Sequence, residues 1–160
     1  KRGFRQSFVE TCMFSKGNLI LLVYVDDCVA ICPTNEPIAE FIKSMQGDYD
    51  LTDEGSVSAY LGIQVECKKT RDGSEYHLTQ PALIDRIIAT IPLKDQQLHD
   101  TPADRILYKG RPRKTDFHYW SAVGQLNYLT ASTRPELMMA VHQCARFSAD
   151  PRLQQEQAIK

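Results

Sequence analysis

Two strongly apolar, β-prone segments that almost touch in sequence constrain the fold more than any other feature of this chain. They are residues 19–25 and residues 28–32, and only Asp26 and Asp27 separate them. Apolar runs joined by two polar residues predict a tight antiparallel hairpin with the two aspartates in its turn. Neither run alternates with polar residues, so both faces of the hairpin are expected to be covered.

The remaining pattern predicts further strands followed by helices. A strand over residues 59–67 is expected to pair with residues 75–78 through a loop whose turn signal is Asp72-Gly73. Helices are predicted to begin near Asn35, Pro81, Asp116, Thr133 and Asp150, each marked by a capping side chain or an early proline. In the helix that follows Asp116, the inward-facing residues are expected to be Trp120, Val123 and Gly124. This order of elements indicates an α+β fold.

Composition excludes several classes of protein. The chain has 160 residues with 42% hydrophobic and 24% charged residues, which is typical of a globular domain and not of a disordered chain. Its longest purely apolar run, residues 19–23, is far shorter than the about 20 residues that cross a bilayer, so no membrane partner is expected. The net charge of −1 means that a polyanion would be held by local basic patches.

The cysteines give no sign of a metal or disulfide framework. There are five, and their spacing fits neither a zinc ribbon nor a C-x-x-C redox pair. They are interpreted as reduced core residues of an intracellular protein.

Asp26 and Asp27 are the strongest candidates for chemistry. Adjacent carboxylates repel each other, and a divalent cation such as Mg²⁺, which prefers carboxylate oxygens, would neutralise them. Two such ions stabilise the attacking and leaving oxygens in phosphoryl transfer. The alternative is that the aspartates simply form a polar turn, because aspartate is a common turn residue.

The hairpin and several later blocks resemble the reverse transcriptases of copia-type long-terminal-repeat retrotransposons. Tyr24-Val25-Asp26-Asp27 between apolar strands is similar to the Tyr-x-Asp-Asp signature of the polymerase palm in that family. Further similar blocks follow the family order at residues 3–14, 60–65, 78–80, 101–102, 119–130 and 132–147. Each block is modest alone, but their order and spacing together are specific.

The resemblance implies an RNA-directed DNA polymerase that adds dNTPs to a primer 3′-hydroxyl by two-metal phosphoryl transfer. It implies a partial palm over residues 1–78, consisting of an antiparallel sheet with the catalytic hairpin plus a helix. A mostly helical, thumb-like region would follow over residues 79–160. By the same resemblance, Asp26 and Asp27 would hold two Mg²⁺ ions together with a carboxylate outside this chain.

Other site residues also follow from the resemblance. Tyr24 and Val25 match positions near the primer end and the incoming nucleotide, and Leu61, Gly62 and Ile63 fall where the primer-grip hairpin is expected. The expected partners are an RNA or DNA template-primer, dNTPs and the rest of a polyprotein, with fingers and palm upstream and RNase H downstream. The resemblance also implies an intracellular location, in a cytoplasmic virus-like particle.

A basic run after residue 104 is a further candidate for nucleic-acid contact. Its members are Arg105, Lys109, Arg111, Arg113 and Lys114. They would contact backbone phosphates, or they would be solvated charges of an exposed loop; both interpretations stay open. Lys68, Lys69 and Arg71, in the predicted loop of the later hairpin, are interpreted as solvated.

Two observations limit the functional prediction. Thr52 stands where the family usually has a lysine that is a candidate general acid, so the resemblance assigns no general acid at this position. A complete polymerase needs more subdomains than 160 residues hold, so the chain is expected to be a slice of a polyprotein that does not extend a primer alone. The alternatives are a non-catalytic remnant, inert or weakly nucleic-acid-binding, and an unrelated metal-binding α+β domain.

Overall fold

The computed structural model describes residues 2–91, 101–103, 107–108 and 110–160. It divides into two compact units, residues 1–60 and residues 61–160. Antiparallel strands and α-helices occur together, which confirms the α+β prediction.

Unit 1 is built on an antiparallel sheet in sequence order. Its strands are β1 (Arg5–Gln6), β2 (Met13–Lys16), β3 (Leu19–Tyr24) and β4 (Asp27–Ile31). Gly17, at φ 58°, lies in the turn between β2 and β3, which pair from Lys16 opposite Leu19 to Met13 opposite Leu22. Leu19 and Leu21 are the buried residues of β3.

The expected coverage of both hairpin faces is wrong. β3 buries one face and leaves the other half-buried, and no residue of β4 is fully buried. The helix that follows, α1 (Glu36–Gln46), has no fully buried residue. Its half-buried apolar side chains include Ile38, Phe41, Ile42 and Met45. These four are spaced at i, i+3, i+4 and i+7 and form one apolar stripe, and the helix ends before Gly47. A two-residue strand, β5 (Ala59–Tyr60), ends the unit.

Unit 2 begins with a long hairpin of β6 (Ile63–Thr70) and β7 (Gly73–Thr79). Thr70 pairs with Gly73, so the turn residues are Arg71 and Asp72, one position earlier than predicted. The predicted strand over residues 59–67 is interrupted at Leu61 and Gly62, which both have positive φ. Lys68 and Lys69 therefore lie on β6 and not in a loop.

The helices of unit 2 supply its core. They are α2 (Pro81–Thr90), α3 (Tyr119–Ser132), a 3₁₀ turn (Pro135–Leu137), α4 (Met138–Ala145) and α5 (Leu153–Ile159). One cluster joins α2 to α3 through Ile87, Ile91, Ala122 and Leu129. A second joins α3 to α4 through Leu107, Tyr119, Val123 and Cys144. The core of this unit is therefore a helical stack.

Several predicted features of these helices are wrong. α3 begins at Tyr119 and not after Asp116, and Trp120 and Gly124 are exposed, whereas Val123 is buried as predicted. Thr133 does not cap the following helix, because it ends α3 and its hydroxyl donates to Oε1 of Gln80 at 2.9 Å.

The cysteines are free, as predicted, but most of them are not core residues. Cys144 is buried and Cys32 is half-buried, whereas Cys12, Cys28 and Cys67 are exposed. Among the residues that the structure describes, no helix has both the length and the apolar character needed to cross a bilayer.

Candidate active site

The candidate site is the tip of the β3–β4 hairpin. Tyr24 pairs with Asp27, so the two turn residues are Val25 and Asp26, and Asp27 is the first residue of β4. The prediction that both aspartates occupy the turn is therefore wrong by one residue. The cause is the strand register: Tyr24 pairs with Asp27, and this pairing places the two-residue turn at Val25 and Asp26.

Val25 has a backbone conformation that β-branched residues rarely adopt. Its φ is 53°, and its side chain is 82% exposed. Two-residue hairpin turns favour positive φ because this matches the twist of the strands. Such strain is commonly found at functional sites, where the surrounding structure holds it in place. The pairing of β3 with both β2 and β4 provides that support here.

The register also orients the two carboxylates differently. Asp26 lies at the apex of the turn, and Asp27 shares a face of the sheet with its cross-strand partner Tyr24. All three residues are exposed, so the tip is open to a ligand. Mg²⁺ keeps several of its waters and binds one or two carboxylates, which fits an exposed aspartate pair. In the described ranges, no group of three His, Cys, Asp or Glu residues forms a metal cluster.

Tyr60 contacts the same hairpin from within unit 1. Its hydroxyl donates to the Leu22 carbonyl at 3.4 Å. Burial raises the pKa of this phenol, and the Cys28 thiol and the Asp27 carboxylate raise it further. The hydroxyl consequently stays protonated at neutral pH and remains a donor to β3.

The residues predicted to form the primer grip lie in a tight turn of unit 2. Leu61 has φ 50° and Gly62 has φ 76°, and Ile63 begins β6. The hydroxyl of Tyr128, on α3, donates to the Leu61 carbonyl at 2.6 Å. A long-range hydrogen bond thus fixes one side of the turn.

The basic run is only partly described. Arg105 and Lys109 lie outside the described residues. Arg111 and Lys114 are exposed, whereas Arg113 donates to the Phe117 carbonyl at 2.6 Å and lies 3.8 Å from the Glu156 carboxylate. Phosphate contact by this run stays a prediction, and Arg113 already has protein partners.

Sequence reasoning missed two hydrogen bonds, one from Tyr60 to strand β3 and one from Tyr128 to the Leu61–Gly62 turn. Both belong to blocks that resemble the family, but nothing local in the sequence shows that their hydroxyls bond to carbonyls 38 and 67 residues away. Local patterns identify turns and periodic faces, and these bonds depend on tertiary packing.

The chain was compared with known proteins. A family model described as reverse transcriptase (RNA-dependent DNA polymerase) matches residues 1–105, well over half of the chain. No solved structure matches it.

Several similar curated proteins are described as transposon proteins. The chain is 28% identical over 160 residues to the retrovirus-related Pol polyprotein from transposon TNT 1-94 of Nicotiana tabacum, covering 92% of this chain and 12% of that protein. It is 29% identical over 168 residues to the one from transposon RE1 of Arabidopsis thaliana, covering 99% of this chain and 11% of the relative. A putative transposon Ty5-1 protein of Saccharomyces cerevisiae is 25% identical over 142 residues, which are 86% of this chain and 45% of the relative.

The match over residues 1–105 includes the hairpin with the exposed aspartates and the turn at Leu61 and Gly62. The similar transposon proteins cover the later helices as well. On this evidence, the chain belongs to the reverse transcriptase (RNA-dependent DNA polymerase) family.

Proposed function

We propose that this chain is the catalytic-hairpin and thumb portion of a copia-type retrotransposon reverse transcriptase. In this proposal residues 1–78 carry part of the palm, and the helical region over residues 79–160 is thumb-like. The full enzyme joins a primer 3′-hydroxyl to an incoming dNTP and releases pyrophosphate. The relatives of which the chain covers 11–12% are Pol polyproteins, which supports a place for it within a longer polyprotein.

The observation that carries the proposal is the geometry of the β3–β4 tip. It presents Asp26 and Asp27 as neighbouring exposed carboxylates on a hairpin that is paired on both sides of β3. Strands hold a site more precisely than a free loop does.

The proposed site residues, at the hairpin tip and in the Leu61–Gly62 turn, take different roles. Asp26 and Asp27 would hold two Mg²⁺ ions, which when bound supply Lewis-acid stabilisation of the charge on the transferring phosphate. Tyr24 and Val25, both exposed, would contact the primer end and the incoming nucleotide. Leu61, Gly62 and Ile63 would contact the primer strand. The partners are therefore a template-primer and dNTPs.

The test is primer extension by a longer polyprotein segment that includes this chain. Asp26→Asn should lower Mg²⁺-dependent extension at least about 100-fold, because removing a metal ligand forfeits several kcal/mol of transition-state stabilisation. Binding of the primed duplex, measured by fluorescence anisotropy, should stay within about twofold, since the lost carboxylate does not contact the duplex backbone in this proposal.

The matched control is Asp50→Asn, which removes an exposed carboxylate from a loop of the same unit. Asp50→Asn should extend like the parent. Near-parental extension by Asp26→Asn would show that the metal assignment is wrong. Absence of extension in the parent segment itself would favour a non-catalytic remnant.

A further inference from the structure

The Leu61–Gly62 turn contains a leucine in a conformation that L-amino acids with side chains avoid. Leu61 has φ 50°, in the left-handed region where Cβ approaches the following carbonyl oxygen. Gly62, at φ 76°, meets the same requirement without a side chain. A left-handed leucine is disfavoured by roughly 1–2 kcal/mol, so contacts that stabilise this state hold the turn in place.

Tyr128 provides such a contact. Its hydroxyl donates to the Leu61 carbonyl at 2.6 Å across 67 residues of sequence. Rotation of Leu61 into the extended region would reorient this carbonyl and break the bond. A β-carbon placed on Gly62 would lie 3.9 Å from the same hydroxyl, so the tyrosine lies directly against both turn residues.

The bond also sets the direction of the peptide that joins the two residues. No peptide of the described residues is cis, so the Leu61 carbonyl and the Gly62 N–H point in opposite directions. With the carbonyl bonded to α3, the Gly62 N–H points away from Tyr128. The hydroxyl thus controls which backbone group the turn presents on its other side.

We propose that Tyr128 is a positioning residue that holds the Leu61–Gly62 turn in its left-handed conformation. Its aromatic ring adds little to the core packing of unit 2, because the residue is 45% exposed and lies outside both buried clusters. The hydroxyl acts through the backbone of Leu61. Its consequence for primer binding rests on the proposed function, whereas its control of the turn does not.

The first test uses NMR on the 160-residue chain with Tyr128→Phe. The Leu61 ¹³Cα shift should move toward extended values, because the lost hydrogen bond no longer favours the left-handed conformation. The melting temperature should stay near that of the parent. Tyr108→Phe, at a residue 68% exposed in the same unit, is the control and should leave the Leu61 and Gly62 signals unchanged.

The second test asks whether the tyrosine acts through the strain at Leu61. Asparagine tolerates positive φ, so Leu61→Asn should hold the turn without the hydroxyl. In the Leu61→Asn background, Tyr128→Phe should change the ¹³Cα shift of residue 61 less than it does in the parent. Unchanged Leu61 and Gly62 signals in Tyr128→Phe, or equal effects in both backgrounds, would overturn the proposal.

Binding of a primed duplex by the 160-residue chain separates this inference from the proposed function. If the turn contacts the primer, Tyr128→Phe should weaken binding about two- to tenfold. A loosened turn with unchanged binding supports the positioning role and contradicts primer contact by Leu61 and Gly62.

Discussion

At the scale of single residues, Glu156 is a buried carboxylate surrounded by hydrogen-bond donors and cations. It is 1% exposed, yet its carboxylate accepts from Lys160 Nζ at 2.5 Å and from the Thr115 hydroxyl, with Arg113 3.8 Å away. Burial raises the pKa of this carboxyl, but the two hydrogen bonds and the cations outweigh it and lower the pKa below its usual range. A buried carboxylate with satisfied partners therefore ties α5 to the segment before α3.

This carboxylate predicts a pH dependence of stability. Because the folded pKa lies below the unfolded value of about 4.3, the stabilisation is complete above pH 4.3 and is lost as pH falls through the folded pKa. Urea unfolding followed by circular dichroism from pH 7 to pH 3 measures this loss. Glu156→Gln should lower the free energy of unfolding by about 3 kcal/mol at pH 7, because it leaves Lys160 and Arg113 without their anion.

Glu66→Gln is the matched control for that experiment, since it removes an exposed carboxylate from the same unit. It should change stability by less than about 0.5 kcal/mol. An unfolding curve of Glu156→Gln with the parental acid sensitivity would contradict the assignment.

At the scale of elements, α2 shows how the apolar side chains of one helix divide between buried and exposed positions. Its apolar side chains are Leu83, Ile84, Ile87 and Ile88, followed by Ile91 just after the helix. Ile87 is 7% exposed and packs in the cluster with α3, whereas its neighbour Ile88 is 51% exposed. The contact with α3 covers only part of a stripe that looks uniform in sequence.

The two adjacent isoleucines provide a matched pair of substitutions. Ile87→Ala should lower the free energy of unfolding by about 3 kcal/mol, because it removes buried methylenes and leaves a cavity. Ile88→Ala should cost less than about 1 kcal/mol, since its side chain loses little burial. Denaturant titrations of both variants check the packing of α2, and similar costs for the two would contradict it.

At the scale of the whole molecule, burial differs between the two units. The buried clusters belong to the helices of unit 2, while α1 of unit 1 has no fully buried residue. The five cysteines sample both units, with Cys12, Cys28 and Cys32 in unit 1 and Cys67 and Cys144 in unit 2. The rate at which each thiol reacts therefore reports on the packing around it, and the five cover both units.

Thiol labelling of the native chain should follow this distribution. Cys12, Cys28 and Cys67 should react with a maleimide within minutes, and Cys144 should react only when unit 2 opens. Although Cys28 is exposed, partial burial raises the pKa of its thiol, so among these three it should react more slowly than a fully solvated thiol at pH 7. Mass spectrometry of timed samples gives the order, with urea-unfolded protein as the control. Early labelling of Cys144 would show that the α3–α4 core is not formed as described.

Elements set by local periodicity could be predicted from the sequence. The β3–β4 hairpin, the half-buried stripe of α1 and the start of α2 at Pro81 all follow from neighbouring residues. The position of the hairpin turn was missed by one residue, because the register depends on pairing along both strands. The role of Thr133 does not follow from its neighbours, because its hydroxyl bonds to Gln80, 53 residues away.

The sequence by itself determined the family and the candidate aspartates, because Tyr24-Val25-Asp26-Asp27 and the later blocks are patterns of residue type and spacing. Only the tertiary structure decided that Asp27 lies on β4 opposite Tyr24, and that Tyr128 bonds to the Leu61 carbonyl. The physical reason is the distance along the sequence over which each effect acts. Residue types fix local propensity, whereas hydrogen bonds and burial between distant segments arise only when the chain packs.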